Sequence, residues 1–364
     1  MIRVRQVKVS VNHNLDDLKK KVIEKLKIKN NELLELKIIK KSIDAREKVR
    51  YIYEVDVLLK NEQLILNKKL PDVLLSPNAL YEYKITGSQK LNNNIIIIGS
   101  GPAGLFSAYL LSLNGYNPII IERGEKIEQR VKTVQEFWSK NNLNENSNVQ
   151  FGEGGAGTFS DGKLNTQIKD KNNRIKEVLN IFVANGADEE IKYLNKPHIG
   201  TDKLRNVIIN MREKIIENGG KFYYNTCLTD LVIEDNKIKK VVLNNSLELD
   251  CEVLILAIGH SSFDTIKMLS KYLKMENKPF AVGVRIQHKQ DLINKNQYGS
   301  YYKNLPPADY KLTYNSNKRG IYSFCMCPGG YVVNASSIKN RLVINGMSNH
   351  ARDTSNSNSA IVVT

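Results

Sequence analysis

The stretch Ile95-Ile96-Ile97-Ile98-Gly99-Ser100-Gly101-Pro102-Ala103-Gly104 decides the fold of this chain of 364 residues. Its four consecutive isoleucines predict a strand that is buried on both faces, as in a parallel sheet. The glycines that follow have the spacing G-x-G-x-x-G, and the residues from Pro102 to Asn114 favour a helix. A strand, a glycine turn and a helix in this order predict a site for the pyrophosphate of a dinucleotide. A structural turn in an unrelated α/β domain is the alternative.

The residues of this turn have distinct predicted roles. Gly99 lets the chain turn sharply out of the strand, and Gly101 lets the backbone approach a pyrophosphate that a Cβ would exclude. Gly104 allows the helix to pack closely on the strand. The helix beginning at Pro102 and Ala103 would direct free N–H groups and the positive end of its dipole towards the phosphates.

A second strand is predicted from Pro118 to Glu122. Glu122 ends it about 20 residues after the glycine turn, where an acidic side chain accepts hydrogen bonds from a ribose. Arg123 follows directly, and Arg130 in the next predicted helix could reach a phosphate. A position on the helix surface is the alternative for Arg130.

Two further segments indicate close approach of the backbone to a bulky group. The run Gly152-Glu153-Gly154-Gly155-Ala156-Gly157 repeats the glycine spacing, but Thr158 to Gly162 is a poor helix start. We therefore reject a second dinucleotide site there and expect these glycines to lie beside a cofactor, with a surface loop as the alternative. A buried strand from Val253 ends in Ala257-Ile258-Gly259, so that the chain can pass beside the same cofactor.

These segments carry a resemblance to a known family. Gly99 to Gly104, Glu122-Arg123-Gly124 and Ala257-Ile258-Gly259 resemble the FAD-binding segments of the glutathione-reductase-like flavoprotein fold. More narrowly, the whole chain resembles the bacterial FAD-dependent dehydrogenases, also described as NAD(FAD)-utilising, through the segments Ser42–Arg46, Val149–Leu164, Pro197–Asp202, Cys325–Gly330 and Asn345–Asp353. The resemblance implies FAD binding but no defined reaction. The further residues expected beside the cofactor are Gly155, Ala156, Gly157, Thr158, Asp161, Lys163, Ala257 and Gly259; for Asp161 and Lys163 a solvated loop pair is the alternative.

The pattern of elements predicts three domains. Residues 1–88 have the order β-α-β-β-α-β, typical of a small ferredoxin-like α+β plait, with a last strand over residues 79–85. Residues 89–277 predict a Rossmann-like, doubly wound α/β sheet of the FAD/NAD(P)-binding kind with a β-meander. Residues 278–364 predict a partial antiparallel substrate or cap domain. Because the sequence stops within the apolar run 360–364, we expect a longer natural protein whose further C-terminal segment contacts the cofactor.

Composition excludes several classes of protein. No run approaches the 18 or so apolar residues of a membrane span, and the N-terminus lacks an apolar signal-peptide core. Four cysteines without framework spacing argue against a disulfide-stapled secreted domain and against a zinc site, so a cytoplasmic location is expected. The net charge is +16, but the lysines are scattered along the chain, which disfavours nucleic-acid binding.

The sequence does not identify catalytic residues. Cys325 and Cys327 could be redox-active thiols or packed side chains, and His198, His260 and His350 could transfer protons or satisfy local hydrogen bonds. The favoured function is an FAD-dependent oxidoreductase, a dehydrogenase whose flavin is reduced and reoxidised by hydride transfer. Its small-molecule substrate is not identified, and NAD(P)H is a candidate electron donor. The alternatives are a flavoprotein that binds or modifies RNA and a non-enzymatic, truncated remnant.

Overall fold

The structure is a computed structural model that describes residues 1–77, 80–84, 86–166, 168–316 and 318–364. It is mixed α/β. Its strands are β1 (Ile2–Val9), β2 (Leu33–Asp44), β3 (Arg50–Leu59), β4 (Val73–Leu75), β5 (Ile95–Ile98), β6 (Ile119–Ile121), β7 (Lys221–Tyr223), β8 (Leu228–Glu234), β9 (Lys237–Leu243), β10 (Leu247–Asp250), β11 (Val253–Leu256), β12 (Val282–Lys289), β13 (Thr313–Asn315), β14 (Gly320–Cys327), β15 (Tyr331–Asn334), β16 (Ile344–Met347) and β17 (Asn356–Val363). Its helices are α1 (Leu15–Leu26), α2 (Glu62–Asn67), α3 (Pro102–Leu113), α4 (Ile127–Lys140), α5 (Arg174–Ala184), α6 (Thr201–Glu217), α7 (Phe263–Leu269) and α8 (Gln290–Tyr298). Among the described residues, no helix combines the length and the apolar character that crossing a membrane requires.

The chain forms two compact units that interleave along the sequence. The first contains residues 1–84, 163–199 and 288–309, and the second contains residues 85–162, 200–287 and 310–364. Both units therefore differ from the continuous segments 1–88, 89–277 and 278–364 that the sequence pattern predicts. Those domain boundaries stay a prediction.

An antiparallel sheet in the order β2-β3-β1-β4 organises the first unit. Helix α1 begins after Asn14, whose side chain accepts a hydrogen bond from the Asp17 N–H, while the Asp17 carboxylate accepts one from the Asn14 N–H. This reciprocal cap satisfies two N–H groups of the first turn. Because Leu18, Val22 and Leu26 recur at helical spacing, they form one buried face that packs on the strands.

The fourth strand of this sheet lies earlier in the chain than the pattern predicts. The expected strand over 79–85 is absent at residues 80–84, and its two ends lie outside the described residues. Instead Val73–Leu75 pairs with β1, because a turn at Pro71 and Asp72 brings the chain back to that strand. The Arg5 N–H donates to the Asp72 carbonyl at 2.8 Å and fixes this return. Helix α2 occupies the segment between the third and fourth strands.

A parallel sheet in the order β11-β5-β6-β7 organises the second unit. Strand β5 lies between two neighbours and is buried along its whole length, as the isoleucine run predicts. Apolar side chains of the antiparallel meander β10-β9-β8 share a core with this sheet. Since the carboxyl ends of β5, β6 and β11 meet at one edge, Gly99, Glu122 and Ala257 come together there.

Antiparallel strands dominate the C-terminal part of the second unit. One sheet has the order β12-β17-β14-β13, and a two-stranded ribbon joins β15 and β16. Strand β14 shifts register between Phe324 and Cys327, where Cys325 has a φ of +50°. The sequence pattern predicts strands and loops beyond Lys278, but residues 290–298 form helix α8 in the first unit. Helix α8 is short and its apolar residues are few, so the pattern gave little helical signal.

Candidate functional site

A cavity of about 580 Å³ opens at the carboxyl edge of the parallel sheet, within the second unit. Ligand pockets in proteins typically measure roughly 300–1,000 Å³. The lining comes from the ends of the parallel strands and from the glycine-rich residues 150–152 and 155–157. Residues 226–228, 256–262 and Thr265 complete it. Of the predicted cofactor residues, those that line it are Gly99, Gly101, Pro102, Ala103, Glu122, Arg123, Gly155, Ala156, Gly157, Ala257 and Gly259.

The two glycine-rich segments, residues 99–104 and 152–157, contact each other at the N-terminus of helix α3. The Gly154 N–H donates to the Ser100 carbonyl at 2.9 Å. Gly155 has a φ of +64°, and a Cβ on it would lie 3.0 Å from the Gly101 Cα. The sequence pattern predicts that the second segment approaches a bulky group closely; the structure places the first glycine turn there.

The N-terminus of α3 faces this cavity without a side-chain cap. Gly101 is the N-cap residue, and no side chain of the described residues caps it. The first N–H groups of a helix have no partner within the helix and carry the positive end of its dipole. The absence of a side chain at Gly104 lets the helix pack closely against the strand, since a Cβ there would lie 1.9 Å from the Gly99 carbonyl oxygen. The arrangement is suited to an anionic group at the cavity end of α3.

Glu122 is buried and fully engaged by protein donors. Its Oε2 accepts hydrogen bonds from the Ser100 N–H at 2.8 Å and from the Ser100 hydroxyl at 2.7 Å. Its Oε1 accepts from the N–H groups of Gly124 and Gly152 at 2.9 and 3.0 Å. A carboxylate offers about four acceptor positions, so the protein itself occupies them. Glu122 thus ties the end of β6 to both glycine segments, and a direct contact with a ribose stays a prediction.

Arg130 lies inside a cage of backbone carbonyls. Its side chain is fully buried and packs over the Phe159 ring at 4.9 Å. Burial lowers the pKa of its guanidinium to about 10, which leaves it charged at neutral pH. The surface position considered for it is wrong, and its donors are directed at protein carbonyls rather than at the cavity. The carbonyls that accept, at 2.6 to 3.2 Å, belong to Asn148, Val149, Gly152, Glu153 and Gly155.

A second buried network supports the same loop from Glu153. Its carboxylate accepts from the Ile127 N–H, from Arg212 Nη1 and from the Tyr224 hydroxyl, each at 2.8 Å. Burial raises the pKa of Glu153, while these three donors act in the opposite direction. Arg212 also forms an ion pair with Glu128 at 2.7 Å. Two charged side chains therefore fix residues 148–155: Arg130 binds their backbone carbonyls, and Arg212 binds the Glu153 carboxylate.

Arg123 lines the cavity and is fixed by helix α7. Its Nη2 donates to both carboxylate oxygens of Asp264 at 2.6 and 2.7 Å. The same nitrogen lies 3.2 Å from the sulfur of Cys227, and the guanidinium packs 4.7 Å from the Phe151 ring centre. Sequence reasoning missed Cys227, because it lies in no motif and only the tertiary fold brings it to the cavity.

The remaining motif segments meet elsewhere in the second unit. Asp161, which is buried, forms an ion pair with the half-buried Arg352, with Nε to Oδ1 at 3.0 Å. The Thr201 hydroxyl donates to the Thr158 carbonyl, and a Cβ on Gly200 would lie 2.2 Å from the His350 nitrogen. Thr158 and Asp161 do not line the cavity; their cofactor contacts stay predictions.

The other candidate side chains are dispersed. Lys163 and His198 form a backbone β-bridge in the first unit. Lys163 is not among the residues that line the cavity, and its cofactor contact stays a prediction. Of the three histidines considered, only His260 lines the cavity. Cys325 is exposed and Cys327 is buried, and both are free thiols.

Comparison with protein families finds FAD-binding domains in this chain. Residues 92–135 match an FAD binding domain, and residues 279–364 match the C-terminal domain of an FAD-dependent protein. Residues 1–58 match a domain of unknown function. The first match contains α3, Glu122 and Arg130, and the second contains the C-terminal sheets. The chain is therefore an FAD-dependent protein.

A relative spans the whole chain. A protein of Clostridium beijerinckii, described only as uncharacterized, is 46% identical over 372 aligned residues, which cover 100% of this chain and 69% of the relative. Among solved structures, PqsL of Pseudomonas aeruginosa is 13% identical (TM-score 0.37), the halogenase PltM 11% (0.38) and glycine oxidase of Bacillus cereus 17% (0.27). The PqsL alignment covers 74% of this chain and 60% of PqsL, and the PltM alignment covers 75% and 51%. The glycine oxidase alignment covers 50% of this chain and 58% of the oxidase. At these TM-scores the solved structures do not assign a function.

Proposed function

This chain belongs to the same family as the Clostridium beijerinckii protein, and we propose that it is an FAD-dependent oxidoreductase with its FAD site in the 580 Å³ cavity. The observation that carries this proposal is the meeting of Gly101 and Gly155 at the uncapped N-terminus of α3. A Cβ on either residue would narrow the space beside the N–H groups of the helix. That space fits a pyrophosphate.

The cavity residues divide the expected contacts. Ala103, in the first turn of α3, would offer its backbone N–H group to the pyrophosphate, together with that of Gly104. The adenosine would lie beside Arg123 and Cys227, which line the cavity. Small residues, namely Gly155, Ala156, Gly157, Ala257 and Gly259, form much of the cavity wall, so they leave room for a flat ring system. We assign the parallel sheet β11-β5-β6-β7 to the Rossmann-like sheets of the glutathione-reductase-like FAD/NAD(P)-binding fold.

The proposed reaction is a dehydrogenation. FAD, when bound, supplies the capacity to accept and release a hydride, and the protein supplies binding, orientation and exclusion of water. NAD(P)H is the proposed electron donor; the sequence offers no second dinucleotide motif for it, so it would approach the flavin from solvent. The substrate is a small molecule. The family matches give no support to the RNA-binding alternative.

Absorbance of the purified chain, before and after FAD addition, tests the proposal. We expect a protein-bound flavin spectrum that bleaches when NADH or NADPH is added without oxygen and returns in air. If the spectrum does not bleach, the FAD assignment would stand and NAD(P)H would be ruled out as the electron donor. A chain that takes up no FAD would overturn the cofactor assignment itself.

A further inference from the structure

A cationic side chain of the C-terminal sheet in the second unit, Arg285, forms no ion pair within the part of the chain that the structure describes. Arg285 of β12 donates through Nη1 to Asn358 Oδ1 at 2.7 Å and to the Cys325 carbonyl at 3.2 Å. Asn358, on the neighbouring strand β17, is fully buried. Gly346 leaves the room that both side chains need, since a Cβ there would lie 2.4 Å from Asn358 Oδ1 and 2.5 Å from Arg285 Nη1.

The pair offers donors that nothing in the described chain accepts. Arg285 Nε and Asn358 Nδ2 are buried and have no hydrogen-bond partner among the described residues. Nη2, on the same edge of the guanidinium as Nε, has none there either, and no carboxylate forms an ion pair with Arg285 in that part of the chain. Buried donors almost always have a partner in native proteins. The free edge is therefore the feature to explain.

The chemistry of this edge selects its ligand. Nε and Nη2 form a planar fork whose two parallel N–H groups match the two oxygens of a carboxylate. The Asn358 amide adds a third donor, and its own oxygen is already occupied by Arg285. Free donors that belong to a positively charged group favour anions over cations.

A chain of contacts connects this cluster to the cofactor cavity. Gln150 lines the cavity, and its side-chain amide donates to the Ala335 carbonyl at 2.6 Å. Ala335 follows β15, which pairs with β16, and β16 carries Gly346 against Arg285. We propose that Arg285 and Asn358 bind the carboxylate of the substrate. This inference rests on the proposed function and names the substrate class as carboxylic acids.

Calorimetric titration of the FAD-treated chain with acetate and benzoate, at constant ionic strength, tests the assignment. Acetamide and benzamide are the neutral controls of the same shape. We expect the carboxylates to bind and the amides not to bind. Arg285→Gln should weaken carboxylate binding at least about tenfold, because both N–H groups of the fork are lost. Arg319→Gln is the matched control, since Arg319 is exposed in the same sheet region, and it should leave binding unchanged.

A second variant keeps the test decisive if Arg285→Gln does not fold. Asn358→Asp preserves the shape and the hydrogen bond to Arg285 but adds a carboxylate that competes with the ligand, so binding should again weaken. Equal binding in Arg285→Gln and wild type, no carboxylate binding, or binding of inorganic phosphate alone would overturn the proposal. FAD absorbance of the same samples separates the two claims: carboxylate binding without FAD uptake would sink only the proposed function.

Discussion

Gly155 packs directly on Gly101: a Cβ on Gly155 would lie 3.0 Å from the Gly101 Cα and 3.3 Å from Cδ of Pro102. The contact joins two glycine-rich segments that are about 50 residues apart in the sequence. It also places the second segment beside the N-terminus of α3, where the pyrophosphate of FAD is expected. The width of the site therefore depends on the absence of a side chain at Gly155.

Replacing Gly155 by alanine should weaken FAD binding. The new methyl group crowds Gly101 and Pro102, so we expect affinity to fall at least about tenfold, measured by flavin fluorescence titration. Gly115→Ala is the matched control, because Gly115 also has a positive φ, +80°, but no atom within 4 Å of a Cβ. Both variants should lose about 1 kcal/mol of stability from backbone strain. Equal FAD affinity in the two variants would contradict the proposed site.

Glu122→Gln separates two roles for this residue. Glutamine would place an NH₂ group against N–H and O–H donors of Ser100, Gly124 and Gly152, which need an acceptor. We therefore expect the free energy of unfolding to fall by about 2–4 kcal/mol. Urea denaturation without FAD measures this change. Glu136→Gln, on the exposed face of α4, should change stability little. If Glu122→Gln kept full stability and lost only FAD affinity, a direct ribose contact would be the better account.

Arg130→Lys should destabilise the chain although it keeps the charge. Lysine cannot donate to five carbonyls at once, and each buried carbonyl left without a donor costs about 1–3 kcal/mol. We expect a loss of roughly 3 kcal/mol or more in urea denaturation, compared with almost none for Arg174→Lys at an exposed position. A stability loss of the same small size in both variants would show that the carbonyl cage is not needed.

The rate at which Cys251 is alkylated should depend strongly on pH. Burial raises the pKa of the Cys251 thiol to about 11 from its ordinary 9.0. At pH 8 the reactive thiolate is then about a hundredfold rarer than for an unperturbed thiol. Iodoacetamide labelling followed by peptide mass spectrometry should modify the exposed Cys325 at pH 8 and Cys251 only as the pH approaches 11. Comparable labelling of both at pH 8 would contradict the burial of Cys251.

Local sequence pattern was sufficient for the first glycine turn. The isoleucine run, the turn and the helix after Pro102 each follow from residues within a few positions, and the structure has them where the pattern predicts. The same holds for helix α1, whose cap residue Asn14 and apolar spacing are both local signals. Elements specified by their own residues were thus predictable.

The contacts that complete the site were not predictable in this way. The cage around Arg130 depends on carbonyls of residues 148–155, and a carbonyl carries no identity in a sequence. The same applies to Cys227, which reaches the cavity only through the meander. Pairing of β4 with β1 depends on a turn whose residues also fit a loop. In each case the deciding partner is distant in sequence, and pattern reasoning has no access to it.

Protection of Cys227 by FAD tests the central claim most directly. Cys227 lines the cavity, whereas Cys325 is exposed in the C-terminal sheet and is absent from the lining. The rate of Cys227 alkylation would be measured while FAD is titrated, with Cys325 as the internal control. We predict that Cys227 labelling falls saturably while Cys325 labelling stays constant. An unchanged Cys227 rate at FAD concentrations that give a protein-bound flavin spectrum would show that FAD binds elsewhere.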